Sequence, residues 1–196
     1  MIETLLNHRY LITELLGEGA FGKTYLAKDR DSHNCLCVIK QLDPKQADIE
    51  TAKKLFQREA EVLKSLKKEQ QIPKFFEYFE QNQQYYLVEE YINGVTLDKL
   101  LKQKWREPEV IDFLRQLLLI LQPLHQQNII HRDIKLTNII KIYQENKFIL
   151  IDFGAVKKID NPNLDYPQQI PGTSIGSHNY APPEQMNGHP LFDRHS

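Results

Sequence analysis

Three groups of residues in this 196-residue chain have the types and spacing to handle a phosphorylated ligand. The first is Gly17-Glu18-Gly19-Ala20-Phe21-Gly22, which places three of the chain's eight glycines within six positions. Missing side chains let backbone amides approach phosphate oxygens closely. The same run standing alone is also compatible with a mobile hairpin. The second group ends the apolar run Cys37-Val38-Ile39 with Lys40. A buried ammonium there needs an anion, for which Glu59 in the next segment is the best candidate, while a lone lysine at a strand end commonly just reaches solvent. The third group is Ile130-His131-Arg132-Asp133-Ile134-Lys135-Leu136-Thr137-Asn138, followed by Ile151-Asp152-Phe153-Gly154. Asp133, Asn138 and Asp152 offer hard oxygen ligands of the kind that hold Mg²⁺ together with a substrate phosphate, although any one such acid is usually a turn residue.

The elements that must position these groups follow from periodicity. Residues 10–16, 23–29 and 35–42 read as three short strands separated by turn formers. A strand directly after the third glycine argues against a dinucleotide-binding fold, which needs a helix there. Over 49–68 the apolar residues Ala52, Leu55, Phe56, Ala60, Leu63 and Leu66 recur at helical spacing. Residues 74–78 and 84–92 flank the polar Gln81-Asn82-Gln83 and complete the sheet as a hairpin. Past Asn93-Gly94 the pattern changes to helices over 97–103 and 108–127, with Pro108 suited to a first turn and Pro123 expected to kink the end or release it early. Short strands over 139–143 and 147–151 follow, and after Phe153 repeated Pro and Gly predict loop. The expectation is an α+β chain of two parts, residues 1–92 and 93–196.

Composition narrows the function classes. With 25 basic and 26 acidic residues the net charge is -1, so no global field draws the chain to nucleic acid or an anionic membrane. The apolar run 117–121 is too short to span a bilayer, and the first eleven residues carry Glu3, His8 and Arg9 where a secretory leader would be apolar. Cys35 and Cys37 lie two apart in a strand, a poor geometry for a disulfide. These readings predict a cytoplasmic protein without a membrane segment.

In this order and combination, the three groups resemble the signature of the protein kinase superfamily, in particular bacterial and cyanobacterial eukaryotic-type serine/threonine kinases. The resemblance implies a bilobal fold with a complete five-stranded N-lobe carrying one main helix, and a mainly helical C-lobe. It implies transfer of the ATP γ-phosphoryl group to Ser or Thr of a protein substrate, with ATP and Mg²⁺ required. Gly17, Glu18, Gly19, Ala20, Phe21 and Gly22 would then cover the ATP phosphates, and Lys40, paired with Glu59, would touch the α- and β-phosphates. Asp133 would be the catalytic base, Lys135 would lie near the transferred phosphate, and Asn138 and Asp152 would hold Mg²⁺. Glu90 to Ile92 would form the adenine-binding hinge, with Ala27, Val38 and Ile140 enclosing the ring. Gly176 to Glu184 resembles the segment that receives the substrate peptide, and Arg132 implies control by phosphorylation, for which Thr173 and Ser174 are the acceptors.

Some positions depart from the pattern. Thr24 replaces a usual valine, Leu136 a usual proline, and Ala181-Pro182-Pro183-Glu184 varies the family's ending. Glu89 falls where many kinases carry an apolar or small residue, and a carboxylate buried there needs a partner or a raised pKa. By the resemblance, the chain stops where a long central helix should begin. The expectation is a C-lobe truncated in its terminal helices, impaired turnover, and an exposed face on 108–127 open to self-association. The alternatives are a nucleotide-binding, pseudokinase-like or partner-binding remnant without turnover, and a small-molecule kinase of the same fold. Lys135 and the peptide-receiving segment favour a protein substrate over the latter.

Overall fold

The computed structural model describes residues 1–19, 22–43, 49–100, 104–159 and Tyr180. They fall into two compact units, Met1–Lys67 with Pro73–Ile92, and Lys68–Ile72 with the described residues from Asn93 on.

The first unit is an antiparallel sheet and a helix: β1 (Leu5–Leu6), β2 (Tyr10–Glu18), β3 (Gly22–Asp29), β4 (Cys35–Leu42), α1 (Ile49–Ser65), β5 (Phe75–Gln81) and β6 (Gln84–Glu90). The five expected strands all form, and the two-residue β1 adds a sixth, in the order β1-β2-β3-β4-β6-β5. β2 runs past the expected residue 16 because Gly17 and Glu18 pair with Thr24 and Lys23. Between β5 and β6, Asn82 and Gln83 have φ of 53° and 61°, the left-handed pair that a two-residue hairpin matched to strand twist requires.

Although β1 and β5 stand at opposite ends of that order, Asn7 after β1 and Tyr10 at the start of β2 reach β5. The Asn7 backbone N–H donates to Gln81 Oε1 at 2.8 Å, Asn7 Nδ2 to Glu77 Oε1 at 2.8 Å, and the Tyr10 hydroxyl to Glu77 Oε2 at 2.7 Å. The sheet is therefore curled until its edges meet, which covers strand edges that would otherwise invite pairing with another chain. Tyr10, Ile12, Ala27, Cys37, Ile39 and Val88 fill the inside of the curl, and the Phe79 ring stacks between Tyr10 and Tyr86. Burial pushes the Cys37 thiol up to about 12, so it behaves as an inert apolar group. Neither Cys35 nor Cys37 is in a disulfide. On α1 the buried stripe is Ala52, Leu55, Phe56, Ala60, Val62 and Leu63, interrupted by one acid, Glu59.

The second unit contains β7 (Val95–Thr96), α2 (Leu97–Leu100), α3 (Glu107–Gln126), β8 (Ile129–Ile130), β9 (Ile139–Ile142), β10 (Lys147–Leu150) and β11 (Lys157–Lys158). They form the small antiparallel sheets β10-β9-β7 and β11-β8. The expected helix over 97–103 is described only as far as Leu100, its last three residues lying outside the described ones. Pro108 sits in the first turn of α3, where its missing N–H costs nothing, and the Glu109 carboxylate accepts the Arg106 N–H at 2.8 Å. Pro123 does not end the helix at once. α3 continues to Gln126 and stops where Asn128 turns left-handed at φ 56°, its N–H donating to the His125 carbonyl at 3.0 Å. Phe148 packs against Phe113 and Trp105, with ring centroids 5.1 Å and 6.2 Å away. The Gln116 side chain accepts the Phe148 N–H at 3.2 Å and donates to the Asn146 carbonyl at 3.0 Å, fixing α3 to the β9–β10 hairpin. Among the described residues no helix is long and apolar enough to cross a membrane.

Candidate active site

In the first unit the site is organised by strand alternation. Thr24 pairs with Lys40, Val38 with Glu89, and Gly17 with Thr24, so these residues face the same side of the sheet. From that face Lys40 Nζ reaches Glu59 Oε1 on α1 at 2.5 Å, and Glu89 Oε1 on β6 lies 3.4 Å away. Both carboxylates are buried, and only 14% of the Lys40 side chain is exposed.

Ala27 is not brought to this face. It pairs with Cys37 and Ile12, is fully buried, and belongs to the core inside the curl, so the expected role in enclosing a ring does not fit its position. Leu26, opposite Val38, stands on the Lys40 face in its place. One residue along a strand inverts the side chain.

Where the glycine run is described, the Gly19 N–H donates to the Gly22 carbonyl at 2.8 Å, between the ends of β2 and β3. Among the described residues a methyl group built at Gly17 or Gly19 meets nothing within 4 Å, whereas at Gly22 it would meet the Gln41 carbonyl oxygen at 1.9 Å. Two of the glycines are thus uncrowded by the described residues, and the third is set by packing against β4. Glu18 is exposed and pairs in register with Lys23, while Ala20 and Phe21 lie outside the described residues. At the end of β6 the Glu90 N–H donates to the Lys74 carbonyl at 2.9 Å, and the half-buried Ile92 follows outside any strand.

In the second unit Asp133 is the centre of a hydrogen-bonded group. Lys135 Nζ donates to Asp133 Oδ2 at 2.7 Å, and Asn138 Nδ2 donates to the same oxygen at 2.9 Å and to the Asp133 carbonyl at 3.0 Å. The Ile151 N–H donates to the Asn138 carbonyl at 2.9 Å, so the segment carrying Asp152 is tied directly to the one carrying Asp133. Asp152 has φ 65° and Arg132 φ 63°. A left-handed backbone is uncommon for arginine, and here it is held in place by the guanidinium, whose Nε donates to the Ala155 carbonyl at 2.7 Å. The buried His131 ring stands edge-on to Phe153 at 4.8 Å. Ile140 lies on β9 opposite Thr96, in a place so tight that a methyl on Gly94 would come within 2.4 Å of its Cγ2.

Among the described residues no group of three or more His, Cys, Asp and Glu could hold an ion. Asn138 and Asp152 are two oxygen donors, and Mg²⁺ characteristically takes one or two carboxylates with phosphate oxygens and water completing its shell.

Sequence reasoning missed two contacts of the site residues: the approach of Glu89 to Lys40, and the anchoring of Arg132 on the Ala155 and Val156 carbonyls at 2.7 Å and 3.4 Å. An acid closing the buried run Leu87-Val88-Glu89 was the signal for the first, but only the strand register says which cation it meets. Thr173, Ser174 and the segment 176–184, Tyr180 apart, lie outside the described residues.

Comparison with known proteins bears on the same residues. A family model described as "Protein kinase domain" matches residues 10–195. The chain is 40% identical over 197 residues to "Serine/threonine-protein kinase B" of Synechocystis sp., covering 95% of this chain and 34% of that protein. It is 40% identical over 200 residues to "Serine/threonine-protein kinase PknA" of Nostoc sp., covering 97% of this chain and 35% of that protein. It is also 38% identical over 164 residues to "Probable serine/threonine-protein kinase YbdM" of Bacillus subtilis, covering 82% of this chain and 62% of that protein. The chain thus spans about a third of the length of the two cyanobacterial relatives.

Proposed function

This chain belongs to the protein kinase domain family, and from that premise we propose that it transfers the γ-phosphoryl group of ATP to a Ser or Thr hydroxyl of a protein. The observation that carries the reading is the convergence of Lys135 and Asn138 on Asp133 Oδ2, which fixes the direction in which that carboxylate presents itself.

In this reading Asp133 accepts the proton of the acceptor hydroxyl as its oxygen bonds to the γ-phosphorus. The bond from phosphorus to the β–γ bridging oxygen breaks, and the electron pair leaves with ADP. Lys135, already within reach of Asp133, stabilises charge on the transferred group. Asn138 and Asp152 would hold Mg²⁺, which when bound would neutralise phosphate charge. Lys40 orients the α- and β-phosphates, and the backbone of Gly17 and Gly19 lies open to them. Thr24, Leu26 and Val38 supply the apolar surface for the ring on the Lys40 face, with Ile140 and the Glu90–Ile92 backbone as further adenine contacts. Thr173 and Ser174 are the proposed sites of phosphorylation read by Arg132.

The test is incorporation of labelled phosphate into the chain and into a generic basic protein, with Mg-ATP binding measured by calorimetry alongside. Asp133→Asn is expected to lower transfer by about 10²–10⁴-fold while ATP binding persists. Equal incorporation by Asp133→Asn and the wild type would overturn the assignment.

A further inference from the structure

Carboxylates from two different elements lie against Lys40, and the sequence pointed only to Glu59. Glu59 comes from α1. Glu89 comes from β6, where the register sets Val38 against Glu89 and Lys40 against Leu87. That makes Glu89 the diagonal neighbour of Lys40 on one face of the sheet. Successive pairs from Cys37–Glu90 to Gln41–Tyr86 bind β4 to β6, so the distance from Lys40 to Glu89 is set by a hydrogen-bonded ladder. Glu59 has no such tether. Among the described residues no backbone hydrogen bond joins α1 to the sheet, and its hold on Lys40 depends on side-chain packing of the helix.

The Glu89 side chain is 6% exposed. Burying a carboxylate is costly unless a counter-charge meets it, and an apolar side chain would fill the same space without that cost. What the carboxylate adds is a second place for the ammonium to rest.

We propose that Glu89 is a positioning residue for Lys40: a sheet-anchored station that keeps the ammonium on its working face when the helix-borne Glu59 is not against it. The role assigned to Lys40 rests on the kinase reading, but the shared ammonium does not. If the proposal holds, α1 shifts without releasing Lys40, and loss of Glu59 is partly covered.

The test compares Glu59→Gln, Glu89→Gln and the double variant in the full chain. One measurement is the rate at which a small amine-acylating reagent labels Lys40 at fixed pH, followed by peptide mass spectrometry. A neighbouring carboxylate favours the unreactive ammonium form, so each single variant is expected to label roughly three- to tenfold faster, and the double variant faster than either. The other measurement is kcat and KM for ATP. Glu89→Gln alone is expected to change kcat/KM less than about threefold, whereas adding it to Glu59→Gln lowers kcat/KM by about tenfold or more. Unchanged Lys40 labelling in Glu89→Gln, or a double variant no worse than Glu59→Gln, would overturn the proposal. A purely packing role predicts a lower Tm with losses that multiply and labelling that stays put, which also counts against it. Should Glu89→Gln fold poorly, Glu89→Leu supports the same comparison. A wild-type chain that transfers no phosphate would count against the kinase reading alone, because the labelling needs no turnover.

Discussion

A methyl group added at Gly22 would sit 1.9 Å from the Gln41 carbonyl oxygen and 3.1 Å from the Asp43 N–H, both backbone atoms of or next to β4. Neither can move without opening the β3–β4 ladder, in which Gly22 pairs with Leu42. Gly22→Ala is therefore expected to destabilise the first unit by about 1–3 kcal/mol, seen as a drop of several degrees in Tm. At Gly19 the same methyl meets no atom of the described residues within 4 Å. Gly19→Ala should leave Tm within about a degree of wild type and weaken ATP binding instead, because the methyl would stand where the phosphates need to approach the backbone. Equal Tm values for the two variants would refute this division of labour. The three glycines are indistinguishable as letters, and what separates them is the strand that lies behind each. Ala27 teaches the same lesson: apolar, in the right strand, and one residue from the face that matters. That Asp133 and Asn138 belong together was legible because few residue types carry such groups, and a 2.9 Å hydrogen bond joins them. The face a small apolar residue occupies was not, because it depends on register.

At the scale of elements, the curled sheet depends on polar closures that periodicity does not reveal. Arg9, just before β2, donates from Nε and one terminal nitrogen to the two oxygens of Asp29 at 2.7 Å each, a paired geometry at the end of β3. Its other terminal nitrogen lies 3.7 Å from Glu77, the residue that also accepts from Tyr10 and Asn7. The hydrogen bond from Arg9 holds the Asp29 carboxyl below the usual carboxylate range, against the opposing effect of burial. The sign follows from that direction. A carboxyl with a folded-state pKa below its unfolded value of roughly 3.9 contributes stability above that pH, and loses it as pH falls through the folded value. Asp29→Asn should thus cost about 1–3 kcal/mol at pH 7, and the gap between variant and wild type should narrow as the medium is acidified from pH ~5. A gap that stays constant down to acid unfolding would show that the charge on Asp29 is not what matters. The main strands and α1 were readable because each spans several periods. β1, β7, β8 and β11 are two residues long, too short to carry a pattern, and exist because neighbouring strands offer them partners. Pro123 gives up its own backbone N–H bond but does not release the helix, so α3 carries three more residues before Asn128 closes it.

At the scale of the whole molecule, the distribution of apolar surface matters more than the net charge of -1. On α3 the buried side chains Ile120 and Leu124 face the core of the second unit, while Ile111, Leu114 and Leu118 lie on another side, 58%, 50% and 68% exposed. Spaced by three and four residues they form one continuous apolar stripe, flanked by Leu119 at 52%. Monomeric soluble proteins seldom leave such a stripe bare, and water gains by covering it. The expected consequence is concentration-dependent self-association of the purified chain through this helix. Ile111→Gln with Leu118→Gln removes apolar area without adding charge or touching the core, so the fold should change by no more than about 0.5 kcal/mol per site. The doubly substituted chain should sediment as a smaller species than wild type at equal concentration, with an unaltered far-ultraviolet circular dichroism spectrum. Leu124→Gln, at a fully buried position, is the contrasting case: it should lower Tm by many degrees through an unpaired buried amide. Identical sedimentation of wild type and the Ile111/Leu118 variant across a tenfold concentration range would show that the stripe does not drive association.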